Sequence, residues 1–286
     1  MQSNNPVFRR SEEFQRGGNA QYAGNGAAFP GYGQQTDPST WGTGTPGAPT
    51  TPSTTSSGPM TIDSVVQKTA ITLGVVIVTA MATWILTPEI DPSSTQNDLG
   101  PLLAAVTIGS LGAFALSMVN SFKRVVSPAL VLAFAALEGV ALGGISKLFE
   151  LMYGGIVANA VIGTFGAFAG TLAAYKLLNI KVGDKFRRGV MAAVFGMVGI
   201  SILSLVLSLF GIDLGIFGGG PIGFLFAVVG LVLGIFMLIL DFDFVEQGIA
   251  NRIPEIESWR AAFAMTVSLV WIYTNILRLL AMFQSD

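Results

Sequence analysis

A single glutamate, Glu138, interrupts the apolar run from Phe134 to Gly144. It lies ten residues after Pro128, which corresponds to about 15 Å along a helix that rises ~1.5 Å per residue. A charge at the centre of a membrane helix costs about 2.5–3.5 kcal/mol on insertion scales, so an acid at this depth requires an explanation. One interpretation is a relay point for cations or protons in a water-accessible cavity. The other is a protonated side chain that hydrogen-bonds a neighbouring helix and supports packing.

Three further acids, Asp241, Asp243 and Glu246, close the sixth apolar run. On a continuing helix, Asp243 and Glu246 are three residues apart and share a face, whereas Asp241 points elsewhere. Carboxylates this close are candidates for a proton-sensing group, and their oxygens suit weak binding of a divalent cation such as Ca²⁺. The alternative is a solvated helix end, but acids at a helix C-terminus oppose the helix dipole and the usual basic bias of inner loops.

The last apolar run carries a stripe of small and polar residues spaced three and four positions apart. A membrane helix turns such a stripe toward other helices or a water-filled cavity, so we expect the other six segments to surround this one. Arg278 could alternatively extend its side chain to the membrane interface instead of facing the other helices. The stripe comprises Ala261, Ala264, Ser268, Trp271, Asn275 and Arg278.

The residue inventory excludes several classes of chemistry. The chain contains no His and no Cys, which removes His general bases, thiol nucleophiles, iron–sulfur clusters and the common zinc sites. No nucleophile–base pair is visible, so we expect no enzymatic activity, no cofactor and no certain metal site. The formal net charge of −2 is too small to indicate a particular partner and does not favour nucleic acid.

Composition identifies the elements that must position these side chains. The chain of 286 residues is 51% hydrophobic and only 11% charged, whereas soluble domains carry about 25% charged residues. Runs of about 20 apolar residues, the length needed to cross a bilayer, alternate with short polar breaks. They predict an all-α polytopic membrane protein with seven spans, the last of which could instead be re-entrant. The segments lie at about 65–87, 101–120, 128–148, 153–176, 188–210, 221–241 and 260–282.

Basic residues alternate between the predicted loops. They are abundant before the first span and in the even-numbered loops. The first loop is acidic, and the third loop has a single base, Lys147, at its start. This pattern predicts a cytoplasmic N-terminus in the cell membrane. Residues 1–60 are rich in Gly, Pro, Ser and Thr and are predicted to be a disordered tail, either inert or a docking segment for other membrane proteins. Residues 61–286 form the predicted transmembrane domain.

Three pairs of glycines at four-residue spacing are typical of close helix packing in membranes. They are Gly139 with Gly143, Gly166 with Gly170, and Gly230 with Gly234.

Several of these motifs together resemble the Bax inhibitor and YccA-like family, also called the transmembrane Bax inhibitor motif family. They are the run from Ala136 to Ser146, the closing sequence Leu240 to Asp243, and the ending Asn275 to Leu280. The opening Ser3 to Arg10 is similar to that of bacterial members. The resemblance implies a seven-helix bundle with the last helix central.

Bacterial members of that family are described as pH-sensitive calcium leak proteins with a latch of two aspartates. The resemblance places the first aspartate at Asp241 or Asp243, with a preference for Asp241, and the second at Ser268. Because Ser268 is not an acid, the latch would need another partner, such as Glu138, Glu246 or Arg278.

The expected function is therefore a calcium or cation leak through the bilayer, controlled by protons. A non-conducting regulator that binds other membrane proteins, for example a membrane protease, is the alternative.

Overall fold

A computed structural model describes residues 58–88 and 99–285. The predicted tail, apart from its last residues, and most of the acidic first loop lie outside the described residues. Within the described ranges the chain forms seven long helices and one short 3₁₀ helix, Glu255–Glu257. The helices are α1 (Ile62–Leu86), α2 (Gly100–Phe122), α3 (Pro128–Met152), α4 (Ile156–Leu177), α5 (Asp184–Ser208), α6 (Pro221–Ala250) and α7 (Ser258–Gln284).

Each of the seven predicted segments coincides with one of these helices. All seven are long and apolar enough to cross a membrane, which confirms the all-α polytopic fold. The seventh is one uninterrupted helix of 27 residues, so the re-entrant alternative for this segment is wrong.

Local sequence signals mark where the helices begin. Proline occupies the first turn of α2, α3 and α6, where its fixed φ suits a helix start and its missing N–H costs nothing. At α1, the side chains of Thr61 and Ser64 cap each other's backbone N–H groups at 3.1 Å. The preceding Met60 is buried and donates its N–H to the carbonyl of Ile253, which ties the start of α1 to the link between α6 and α7.

Helix α7 is the centre of the bundle. No residue between 258 and 282 is exposed, although this helix has the lowest hydropathy of the seven. It packs mainly against α1, α3, α4 and α6, while α2 packs mainly on α3 and α5 on α6. The polar stripe is therefore covered by protein, as expected, but by four close neighbours rather than by all six.

Charges separate the two ends of the bundle. We call the end that holds the N-terminus of α1 the basic end. Among the described residues, only Lys147 and Arg278 provide positive charge toward the opposite end. The basic end carries Lys68, Lys123, Arg124, Lys176, Lys181, Lys185, Arg187, Arg188, Arg252 and Arg260.

Two of the three glycine pairs bring helices together. Gly139 and Gly143 of α3 lie against the backbone of α1, and Gly230 and Gly234 of α6 lie against side chains of α7. A Cβ on any of these four would overlap its neighbour. The third pair, Gly166 and Gly170 of α4, has no atom within 4 Å of the position a Cβ would take. That pair does not pack against another described part of the chain.

Lys147 closes the C-terminal end of α1. It lies inside α3 and is only 6% exposed, so its predicted position at a loop is wrong. Its ammonium group donates to the carbonyls of Trp84, Thr87 and Pro88 and to the Thr87 hydroxyl, at 2.8 to 3.1 Å. The last carbonyls of a helix lack partners within the helix, and a buried ammonium group needs several acceptors. Lys147 meets both requirements at once.

Replacing Lys147 by methionine keeps the side-chain length but leaves these buried oxygens without their donor. We expect the variant to lose about 1–3 kcal/mol of unfolding free energy, the usual cost of unsatisfied buried polar groups. Unfolding of the purified proteins in a denaturing detergent measures the loss. Lys176→Met, at an exposed position on α4, is the matched control, and equal losses in both variants would contradict the assigned role.

Candidate functional site

Two carboxylates lie at similar depth on opposite sides of the central helix. Glu138 is ten residues from the start of α3, and Asp241 is nine residues from the end of α6. At ~1.5 Å per residue, both are about 14–15 Å from the basic end. Helix α7 passes between them, since Glu138 lines a cavity against α7 and Asp241 binds a side chain of α7.

Glu138 lines a cavity of about 320 Å³ between α2, α3 and α7. Ser110 and Ser117 of α2 and Thr274 of α7 add hydroxyl groups to its wall, and Trp271 adds an indole ring. A cavity of this size with several polar wall groups is large enough to hold water molecules. The acid therefore lines a cavity whose wall is mostly apolar but includes three hydroxyl groups.

Asp241 forms a hydrogen bond with the position that the family resemblance assigns to a second acid. The hydroxyl of Ser268 donates to Oδ2 of Asp241 at 2.6 Å, and Ser268 itself is 1% exposed. The contact joins α6 to α7 at nine residues from the end of α6 and ten residues from the start of α7. Its partner is thus none of the three residues suggested from the sequence, Glu138, Glu246 or Arg278.

The next turns of the stripe also contact α6. The indole nitrogen of Trp271 donates to the carbonyl of Gly230 at 2.8 Å, and the same ring lines the Glu138 cavity. Asn275 is buried over Gly230 and donates to the carbonyl of Trp271 at 2.8 Å. The absence of a side chain at Gly230 makes both contacts possible. Trp271 therefore stands between the cavity and α6.

The other two acids of α6 bind different partners. Oδ2 of Asp243, which is 7% exposed, accepts from Arg187 of α5 at 2.8 Å and from Gln247 at 2.7 Å. Glu246 is exposed and accepts from the hydroxyl of Tyr175 of α4 at 2.6 Å. These contacts tie α4 and α5 to α6 at the basic end.

The cluster of three acids predicted as a weak Ca²⁺ site is not assembled. Asp241, Asp243 and Glu246 point toward three different helices, α7, α5 and α4. In residues 58–88 and 99–285, no three acidic side chains converge in a way that could hold a metal ion. The sequence spacing failed here because successive acids on one helix face different neighbours.

Arg278 lies far from these acids, toward the opposite end of the bundle. Its guanidinium donates to the carbonyl of Ile216 at 2.7 Å and lies 5.3 and 6.0 Å from the ring centres of Phe217 and Phe226. It therefore fixes the link between α5 and α6 against α7. It does not serve as a partner of Asp241, and it does not extend freely to the interface.

Sequence reasoning missed three residues of this region. Arg187 was counted only as one of several loop bases, and Tyr175 and Thr274 were not singled out. Tyr175 is a buried aromatic residue close to the basic end of α4, and a hydroxyl at such a position needs a partner. That requirement was the available signal for Tyr175, whereas nothing in the sequence distinguished Arg187 from Arg188.

Comparison with known proteins identifies one family. The model of the family described as Bax inhibitor 1 like matches residues 5–285, almost the whole chain. No curated protein matches the chain significantly.

Proposed function

Because this chain belongs to the Bax inhibitor 1 like family, we propose that it is a cation leak protein of the cell membrane. Glu138 lines the route, Asp241 acts as its gate, and the cation is calcium. The N-terminal tail lies in the cytoplasm, because basic loops remain on that side and the basic end of the bundle is the end at which α1 begins.

The placement of Glu138 and Asp241 on either side of α7 carries this proposal. Each lies about 14–15 Å along its helix from the basic end, where an isolated carboxylate is costly unless it is hydrated, paired or protonated. Glu138 faces a cavity of about 320 Å³, and Asp241 binds Ser268. The carboxylate of Glu138 offers the oxygen ligands that Ca²⁺ prefers, whereas Asp241 acts on the route through its hydrogen bond with Ser268.

The contact between Asp241 and Ser268 supplies the control by protons. A hydrogen bond to an ionised carboxylate is about twice as strong as one between neutral groups. An ionised Asp241 therefore holds α6 against α7, and protonation weakens that link and opens the route. Serine does not titrate, so this pair responds to a single proton, unlike a pair of aspartates.

Flux of Ca²⁺ into liposomes, followed at several pH values, tests the proposal. We expect flux to rise as pH falls, with a response no steeper than one proton. Asp241→Asn should give high flux that no longer depends on pH. Glu138→Gln should lower flux at every pH by about tenfold, which corresponds to ~1.4 kcal/mol in the barrier, and keep the pH response.

The control is Asp63→Asn, which removes an exposed carboxylate in the first turn of α1 and should behave like the parent protein. Flux with an unchanged pH response in Asp241→Asn would refute the role of Asp241. Absence of flux from the folded parent protein at every pH would refute conduction and favour the non-conducting regulator.

A further inference from the structure

A second cavity opens between α1 and α4, on another side of the bundle. Its volume is about 430 Å³, and α3 and α7 form its floor. It shares only Leu142 and Val270 with the cavity of Glu138, so these two side chains separate the two spaces.

The lining of this cavity is mostly apolar, and its three hydroxyl groups already form hydrogen bonds. The hydroxyls of Ser146 and Tyr273 share a hydrogen bond of 2.6 Å on the floor. Thr164 donates to the carbonyl of Ala160 in its own helix at 2.8 Å. No charged residue lines the cavity, and nearby Lys147 is occupied by the end of α1. The cavity therefore matches a ligand without polar groups.

The dimensions and position of the cavity match one leaflet of a bilayer. Along α1 it extends from Leu73 to Ile85, which is about 18 Å at ~1.5 Å per residue. One leaflet contributes about half of a hydrocarbon core that is ~30 Å thick. Helices α1 and α4 pack on α3 and α7 rather than extensively on each other. The wall residues Ile77, Met81 and Phe165 are 48%, 58% and 55% exposed, so the cavity opens sideways at the depth of the acyl chains.

We propose that this cavity binds one acyl chain of a membrane phospholipid from the leaflet opposite the basic end. The headgroup of a phospholipid stays at the interface, so the cavity needs to accept only the hydrocarbon chain. A lipid chain inside the cavity would contact Leu142 and Val270, the two side chains that also line the Glu138 cavity. It would therefore help to hold these two side chains in place between the cavities.

A photoactivatable phospholipid with a diazirine on its acyl chain tests this site in the unmodified protein. After reconstitution and illumination, we expect cross-links on the floor residues Ser146 and Tyr273, which are 7% and 9% exposed. Lipids that merely surround the bundle cannot reach these side chains. Cross-links confined to outward-facing residues would overturn the proposal.

Two pairs of variants add an independent readout. Ile77→Trp and Val161→Trp fill the cavity from α1 and α4, while the controls Val78→Trp and Ile162→Trp add the same bulk at neighbouring positions that do not line it. Native mass spectrometry in mild detergent should show one retained phospholipid on the parent protein and the controls. We expect retention to fall at least fivefold in both filling variants.

Equal retention in all five proteins, or a retained fatty acid in place of a phospholipid, would contradict the assignment. If a filling variant does not fold, the cross-linking result decides. Neither measurement involves ion flux, so this inference stands or fails separately from the proposed function.

Discussion

Replacing Gly139 by valine is expected to prevent formation of the folded bundle. A Cβ at this position would overlap the hydroxyl oxygen of Thr79 and the backbone carbonyl of Val76 in α1. A flexible side chain could turn away from the added group, but a backbone carbonyl within a helix cannot. Overpacking of a core costs about 1–3 kcal/mol, and contact with rigid backbone raises that cost. Domains are typically stable by only ~5–15 kcal/mol.

The matched control for Gly139→Val is Gly166→Val, which introduces the same side chain into α4 where no atom lies within 4 Å. We expect the control to give the parent yield of monodisperse protein and Gly139→Val to give almost none. Size-exclusion chromatography of both variants in detergent measures this difference. Similar yields of folded protein would show that α1 and α3 do not approach each other as closely as in the structure.

Replacing Arg187 by leucine is expected to lower the free energy of unfolding substantially, which is the second large effect that we predict. Asp243 is 7% exposed and would keep only Gln247 as a donor. Removal of one partner of a buried ion pair costs about 3–5 kcal/mol. The Arg187 side chain is 46% exposed, so solvent already weakens the pair and we expect about 2–3 kcal/mol. Unfolding in a denaturing detergent measures the loss.

Two further variants separate the ion pair from general effects at the start of α5. Arg188→Leu removes the neighbouring exposed charge and should change the unfolding free energy by less than about 0.5 kcal/mol, as is usual for surface substitutions. Adding Asp243→Asn to Arg187→Leu removes the uncompensated charge and should recover most of the loss. Equal effects of Arg187→Leu and Arg188→Leu, or no recovery in the double variant, would contradict the pairing.

Local features of the sequence were sufficient to predict the helices. A span depends on the length and composition of one continuous run, and each of the seven predicted segments coincides with a helix. The central position of α7 could also be predicted from the sequence, because a polar stripe in a membrane helix has to face protein. The stripe residues Ser268 and Asn275 are indeed buried, at 1% and 6% exposure.

Contacts between helices that are remote in the sequence could not be predicted in the same way. The pairs Gly139 with Gly143 and Gly166 with Gly170 have the same spacing, yet only the first meets another helix. The acids of α6 follow one another in the sequence, yet Asp243 meets Arg187, which is 56 positions away in the chain. Spacing along one helix determines the face on which a residue lies but not the neighbour that covers that face.

The amino-acid sequence by itself determined a membrane domain of seven helices, in which the central helix carries a polar stripe and carboxylates lie within the spans. Apolar length and helical periodicity are properties of each segment alone. Only the tertiary structure decided that Asp241 binds Ser268, that Glu138 faces a cavity, and that the acids of α6 do not form one cation site. These outcomes depend on how each helix is rotated about its axis, and packing against residues remote in the sequence sets that rotation.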